Sequence, residues 1–383
     1  MSDHRPGPVK LDVYRTRVPM RTFEHSAASR ELAEGIVVRV TFADGSCGWG
    51  EALPRPYVTG ETIESVLSDL SQILWPACLS GGELPGLADG RCILSAAGAV
   101  ELALVSRLFG RGGQLAPEDV PDLPLPEAPH GIAGRVSGVV GSSDPARTAA
   151  RLWKMRLFDL RDFKVKLGLG EDVDRENLRI VAKKLAGRIA AGQCTLRVDV
   201  NGAWPAAEVP DRVAELVGLG VCVVEQPAKL SAAALAELAG RCALPLMADE
   251  SLLTAEDARA LLAAPDPRRV WWNLRIGKNG GWRPTAVLAF EAARRGVPFV
   301  AGCLVGESSI LSAAQRRLLQ WVPTPRFIEG NWGRFLMRDD LTYRSLRFTF
   351  GGRLRVMRRA GLGVDVDPRR LERYGTLVAS LGD

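Results

Sequence analysis

Thr195-Leu196-Arg197-Val198-Asp199 is a short run that ends in a carboxylate, and its form recurs along the chain. Val221–Glu225 (VCVVE) and Leu246–Asp249 (LMAD) end in acids; Phe163–Lys166 (FKVK) and Val270–Arg275 (VWWNLR) end in cations. With Cys303, which follows Pro298–Gly302, the run ends are Lys166, Asp199, Glu225, Asp249, Arg275 and Cys303. Their spacings are 33, 26, 24, 26 and 28 residues, each the length of a strand, a helix and two loops. Val136–Val140 ahead of these and Arg326–Glu329 behind bring the strand count to eight. Helical spacing is read over 175–191, 206–219, 232–239, 255–263, 283–295 and 309–319. Repeated βα units close into a parallel barrel, and such barrels work at the C-terminal ends of their strands. The expected fold class is therefore α/β, a TIM-type barrel occupying residues 131–342.

Ahead of it, residues 1–130 read as an α+β unit. Strands are expected over 9–18 and 35–42 and at Gly48-Trp49-Gly50-Glu51, and helices over 62–74 and 95–108. Pro19–Glu34 is polar and poorly patterned and is read as a mobile loop. Gly110–Gly134 carries five prolines and reads as a linker. Residues 343–383 return to strand-like runs and are expected to pack back on the first unit.

The 383 residues are 46% hydrophobic and 25% charged, as in a globular protein with a large core. The net charge of +6 comes from scattered arginines without a basic stripe, which argues against nucleic-acid binding. No stretch approaches a membrane span, and the opening MSDHRPGPVK has no apolar leader core, so a cytoplasmic location is expected. Seven cysteines without a C-x-x-C pair read as reduced thiols. Gly168-Leu169-Gly170 lacks the third glycine of a dinucleotide fingerprint, where Val173 stands.

Asp199, Glu225 and Asp249 come from successive units, so their charges converge, and burying unpaired charge is costly. A hard divalent cation with oxygen ligands, Mg²⁺ or Mn²⁺, would neutralise them. Lys164 and Lys166, two apart on one strand, point the same way. Two adjacent ammonium groups are expected to lower each other's pKa, poising a general base. Asn201 shares the face of Asp199.

The ordered set F-K-V-K-L-G, D-V-N, V-E-Q-P, A-D-E-S and K-N-G-G, with G-W-G-E-A, T-G-E-T and G-L-G-V-D-V-D, resembles the enolase superfamily, in particular its muconate-lactonizing subgroup. The resemblance spans nearly the whole chain. It implies a modified (β/α)8 barrel under an α+β capping domain completed by the C-terminal segment. It also implies removal of a proton alpha to a carboxylate, with Mg²⁺ holding the enediolate. By position, Asp199, Glu225 and Asp249 would be the ligands and Lys166 the base, with Lys164 contacting the substrate carboxylate. Glu250 is the alternative ligand to Asp249. A small carboxylate substrate and a homo-oligomer are expected.

One position departs from the pattern. The subgroup's sixth strand ends K-x-x-K-x-G-G; here Arg275 takes the first lysine's place and Lys278 follows. Arginine stays protonated and is a poor base, and Lys278, three residues on, is not expected to reach the same spot and is read as a substrate contact. One-base chemistry is therefore favoured, β-elimination or cycloisomerisation as in o-succinylbenzoate synthase or muconate cycloisomerase. The alternatives are an epimerase using Arg275 or another group, and a non-catalytic relative. Glu329 resembles the glutamate of the muconate enzymes. Glu307 is read as lining the mouth or capping a helix. Pro19–Glu34, Tyr57–Thr59 and His25 are placed to cover substrate.

Overall fold

The computed structural model describes residues 6–25 and 28–382, with the side chains of residues 24, 25, 28 and 29 outside the description. The reading of His25 as a substrate contact therefore falls outside the described residues.

Three antiparallel strands open the chain: β1 (Pro8–His25), β2 (Ala28–Phe42) and β3 (Cys47–Ala52). Helices α1 (Ile63–Asp69) and α2 (Trp75–Leu79) follow, joined by a π-helical turn. A small hairpin, β4 (Leu87–Ala88) and β5 (Arg91–Cys92), leads into α3 (Leu94–Ser106). Leu11, Val13, Ile36, Val38 and Val40 alternate along β1 and β2, and their shared face closes over α1 and α3 in one apolar core.

Residues 19–25 and 28–34 differ from their reading as a loop. β1 and β2 keep pairing beyond Pro19, with Phe23 opposite Arg30, after an irregularity in register. Its few apolar residues, among them Met20, Phe23 and Ala33, do not alternate along the segment, so the extension left no clear sequence signal. Its base lies over the barrel loops: Met20 bridges to Met337, and a Cβ on Gly306 would meet Ala33 at 2.8 Å.

The barrel strands are β6 (Gly138–Val140), β7 (Asp162–Lys166), β8 (Thr195–Asp199), β9 (Val221–Glu225), β10 (Leu246–Ala248), β11 (Val270–Leu274), β12 (Phe299–Ala301) and β13 (Phe327–Ile328). They form one eight-stranded sheet in sequence order, all its ladders parallel. A Val136–Ile328 bridge and a 2.8 Å hydrogen bond from Ser137 N to Ile328 O join its two ends. The helices between are α4 (Pro145–Leu157), α5 (Glu171–Ala190), α6 (Val209–Val217), α7 (Ala232–Ala239), α8 (Ala255–Leu262), α9 (Trp282–Arg294) and α10 (Ser309–Leu319). α7 and α10 lie where their apolar spacing put them. α4 was not anticipated: only Thr148 and Leu152 of it are buried, too few to show a stripe, although Asp144 caps it ahead of Pro145.

Strand alternation divides the barrel's side chains. Leu196, Val198, Val224, Trp272 and Leu274 belong to the large core shared with the helices. Val223, Met247, Val300 and Phe327 form a separate cluster. Two residues above three of them on the same faces stand Glu225, Asp249 and Glu329. The barrel floor is apolar and its C-terminal mouth is charged.

The strand-like reading of 343–383 holds only at its end. Residues 343–367 form turns and irregular backbone, α11 (Pro368–Tyr374) follows, and β14 (Gly375–Gly382) pairs antiparallel with β1. No helix among the described residues is long and apolar enough to cross a membrane.

Candidate active site

The ladder itself gathers the charged ends: Lys166 is the register partner of Asp199, and Asp199 of Glu225. Neighbouring strands lie about 4.8 Å apart, so the three side chains are brought side by side at the mouth. Asp249 is fixed by Gln226, the third residue of V-E-Q-P, which stands at a positive φ of 36°. Its Oε1 accepts from the backbone N of Asp249 (3.0 Å) and of Ser251 (3.1 Å), and its Nε2 donates to Ser251 Oγ (2.7 Å). Asn279 of K-N-G-G plays the same part for Arg275, accepting from its N at 2.8 Å. The two glycines after it let the upper unit approach. A Cβ on Gly281 would stand 2.2 Å from Glu101 Oε2, and the Glu101 carboxylate accepts from Trp282 N (2.6 Å) and Arg283 N (2.9 Å) at the start of α9.

The three acids are fully buried, and each is held by side-chain cations. Lys166 Nζ donates to Asp199 Oδ2 (2.6 Å) and Asn201 Oδ1 (2.9 Å). Lys164 Nζ lies 3.0 Å from Asp199 Oδ2, 3.0 Å from Glu225 Oε2 and 2.8 Å from Glu329 Oε1. Arg275 Nη2 donates to Asp249 Oδ2 and lies 3.5 Å from Glu225 Oε1. Lys278 Nζ donates to Asp249 Oδ1 (3.1 Å), Asp249 O (2.6 Å) and Asn273 O (2.8 Å).

Four expectations are corrected by this geometry. Lys164 is not lowered by its neighbour: burial works in that direction, but Glu225, Glu329 and Asp199 together raise its pKa. Lys278 does reach the carboxylate that Arg275 holds, on the other oxygen. Its three donors are spent inside the protein, so it braces Asp249 and is not free for substrate. Glu307 caps no helix: it accepts from Leu304 N at 2.7 Å within its own loop, while Ser308 and Glu51 satisfy the start of α10. Thr59 is turned to Ser95 Oγ, 3.4 Å away on α3, although Arg55 ties the same turn to Val305 O at 2.9 Å beside the mouth.

The sequence reading also missed Arg197. Two residues before Asp199 on the same face, it is fully buried, stacks 4.3 Å over the Phe327 ring and donates to Glu329 Oε1 at 2.5 Å. Its i, i+2 relation to Asp199 was the available signal. Despite burial, Lys164, Arg197 and Arg275 draw the Glu329 carboxyl down to about 2. Glu329 is thus sunk in an ion-pair network, although Lys164 links it to the mouth.

Among the described residues no three acid, histidine or cysteine side chains converge as a ready-made metal cage. The donor set nevertheless suits a hard cation. All three candidates are oxygen ligands, and like charges press on the acids around them despite the cations. Burial, then Asp199, pushes Glu225 up to about 7. Burial, then Asp249 and Asp199, pushes Glu250 up to about 8, and its buried Oε2 has no hydrogen-bond partner. A bound divalent ion relieves that crowding.

Residues 144–370 match the family described as enolase C-terminal domain-like. The L-Lys-D/L-Arg epimerase of Methylococcus capsulatus is 31% identical over 364 residues, covering 90% of this chain and 94% of its own. Muconate cycloisomerase 1 of Pseudomonas putida is 27% identical over 385 residues, covering 95% of each. Among solved structures, the N-succinyl Arg/Lys racemase of Bacillus cereus superposes with a TM-score of 0.80 over 98% of this chain and 99% of its own, at 23% identity.

Proposed function

We propose, from the premise that this chain belongs to the enolase superfamily and to its muconate-lactonizing subgroup, that it removes the proton alpha to a carboxylate of a small organic acid, with Lys166 as its one base. The observation that carries this is the asymmetry of the mouth. On the β7 side stands an amine, Lys166, the more accessible of the two lysines, oriented by Asp199 and Asn201. On the β11 side stands a guanidinium, which cannot take up a proton.

The neutral Lys166 amine accepts the alpha proton, and the C–H electron pair spreads onto the substrate carboxylate. A β-substituent then departs with its bonding pair as the C=C bond forms. The Lys166 ammonium then returns its proton to that leaving group. This sequence describes a β-elimination, or a cycloisomerisation read toward ring opening. Lys164 keeps a positive charge beside the reacting carboxylate, and Asn201 sets the direction of the Lys166 amine. Superfamily members generally use Mg²⁺. Asp199, Glu225 and Asp249 would hold it, or Mn²⁺, and its charge would stabilise the anion that builds on the substrate oxygens.

The test is turnover of a panel of muconolactones, succinylbenzoate precursors, N-acyl amino acids and dipeptides with Mg²⁺. Lys166→Ala is expected to abolish turnover of any substrate found; an active variant removes Lys166 from the mechanism. The second reading is an epimerase, favoured by the 31% identical epimerase relative. It requires a second base on the β11 side other than Arg275 itself, and inversion at the alpha carbon would establish it.

A further inference from the structure

The sixth-strand arginine does more than withhold a base. We propose that Arg275 is a built-in counter-cation for Asp249 and Glu225 that a divalent ion must displace, so that metal binding and carboxylate binding are coupled through its guanidinium. This rests on the assignment of Asp199, Glu225 and Asp249 as ligands, and not on the reaction assigned to Lys166.

Of the cations in the mouth, Arg275 alone lies against both Glu225 and Asp249, the acids of two adjacent strands. A dication seated on those acids and a guanidinium on the same oxygens repel each other, so both cannot hold them at once. The departure of Arg275 leaves both acids partnered. Glu225 keeps Lys164 at 3.0 Å and Asn273 Nδ2 at 2.7 Å, and Asp249 keeps Lys278 at 3.1 Å. The Arg275 Nε is already buried without a partner. Its backbone is pinned by Asn279, so release is a side-chain movement. The neighbouring strand end leaves room for the stem, since a Cβ on Gly302 would stand 2.9 Å from Arg275 Cγ. Once released, the guanidinium of this buried residue needs a new anion. A substrate carboxylate offers two parallel acceptors to its planar fork.

The experiment is calorimetric titration of the EDTA-treated full chain with Mg²⁺, with and without succinate as a probe carboxylate. For wild type, succinate is expected to tighten Mg²⁺ binding several-fold. Arg275→Gln is expected to bind Mg²⁺ alone at least about tenfold more tightly, the scale of one charge-assisted hydrogen bond, and to lose the succinate effect. Arg275→Lys serves if the glutamine variant does not fold, and the wild-type linkage needs no variant. Equal or weaker Mg²⁺ binding in the variants, or no binding of Mg²⁺ or Mn²⁺ by any form, overturns displacement. Succinate without effect on wild type overturns the coupling. An active Lys166→Ala variant alongside tightened Mg²⁺ binding would remove the proposed reaction and leave this inference standing.

Discussion

The two flanks of the barrel mouth carry the same charge and different chemistry. On the β7 side Lys164 and Lys166 share one oxygen of Asp199, at 3.0 and 2.6 Å. On the β11 side Arg275 and Lys278 divide the two oxygens of Asp249. Both flanks neutralise acids that would otherwise be intolerable in a buried site. Only the first offers an amine that is not wholly enclosed, for Lys278 spends its three donors on the protein and the Arg275 guanidinium cannot take up a proton. Electrostatic balance and proton transfer are separable demands: the β11 side meets the first and gives up the second.

The strongest way to break this comparison is to remove the amine. Lys166→Ala should lower kcat by roughly 10²–10⁴-fold or more, the usual contribution of a positioned base, while Arg275→Lys should open exchange from the opposite face, both read by initial rates and product NMR.

Next in size is the ion-pair network beneath the lysine flank. Arg197→Met strands Glu329 with Lys164 as its remaining partner and should cost about 3–5 kcal/mol in urea unfolding. The double variant with Glu329→Leu should recover much of that, because the two then fill the floor around Phe327 without charge.

The start of α10, beyond the neighbouring strand β12, is braced from above by Glu51. Its buried carboxylate accepts from Ser308 N, Ser308 Oγ and Leu311 N at 3.0, 2.7 and 3.2 Å. Burial pushes its carboxyl up to about 7. A raised folded-state value makes its contribution greatest below the ordinary carboxylate range, with loss as pH rises through about 7. Calorimetric Tm should therefore fall between pH 4.5 and 7 by a few kcal/mol equivalent at most in wild type, and less in Glu51→Gln. The smallest effect expected is Asn201→Ala, which frees the Lys166 amine from one hydrogen bond worth about 1 kcal/mol and should lower kcat several-fold without loss of Tm.

The barrel was legible because its signal is local. Each strand writes an apolar run with a polar end, and α7 and α10 write their faces in apolar spacing. The same rule placed Lys166, Asp199 and Glu225 side by side. What the sequence withheld depends on partners far along the chain. Residues 19–25 and 28–34 became strand because two segments poor in apolar pattern pair with each other, and α4 buries too little to show. The acids' partners were legible as residue types but not as pairs: that Lys278 would meet Asp249, and Arg197 meet Glu329, 132 positions apart, follows from barrel closure. Lys164 was misjudged for the same reason, since its nearest lysine was visible and the three carboxylates that dominate it were scattered over three other strands.

The most direct measurement is hydrogen exchange at the alpha carbon. Muconolactone and N-acyl amino acids, incubated with the protein and Mg²⁺ in deuterium oxide and followed by proton NMR, should show deuterium entering one face only, with configuration retained. That exchange should vanish in Lys166→Ala. Deuterium appearing in both enantiomers of a single substrate, or persisting without the Lys166 amine, would contradict a mouth with one working flank.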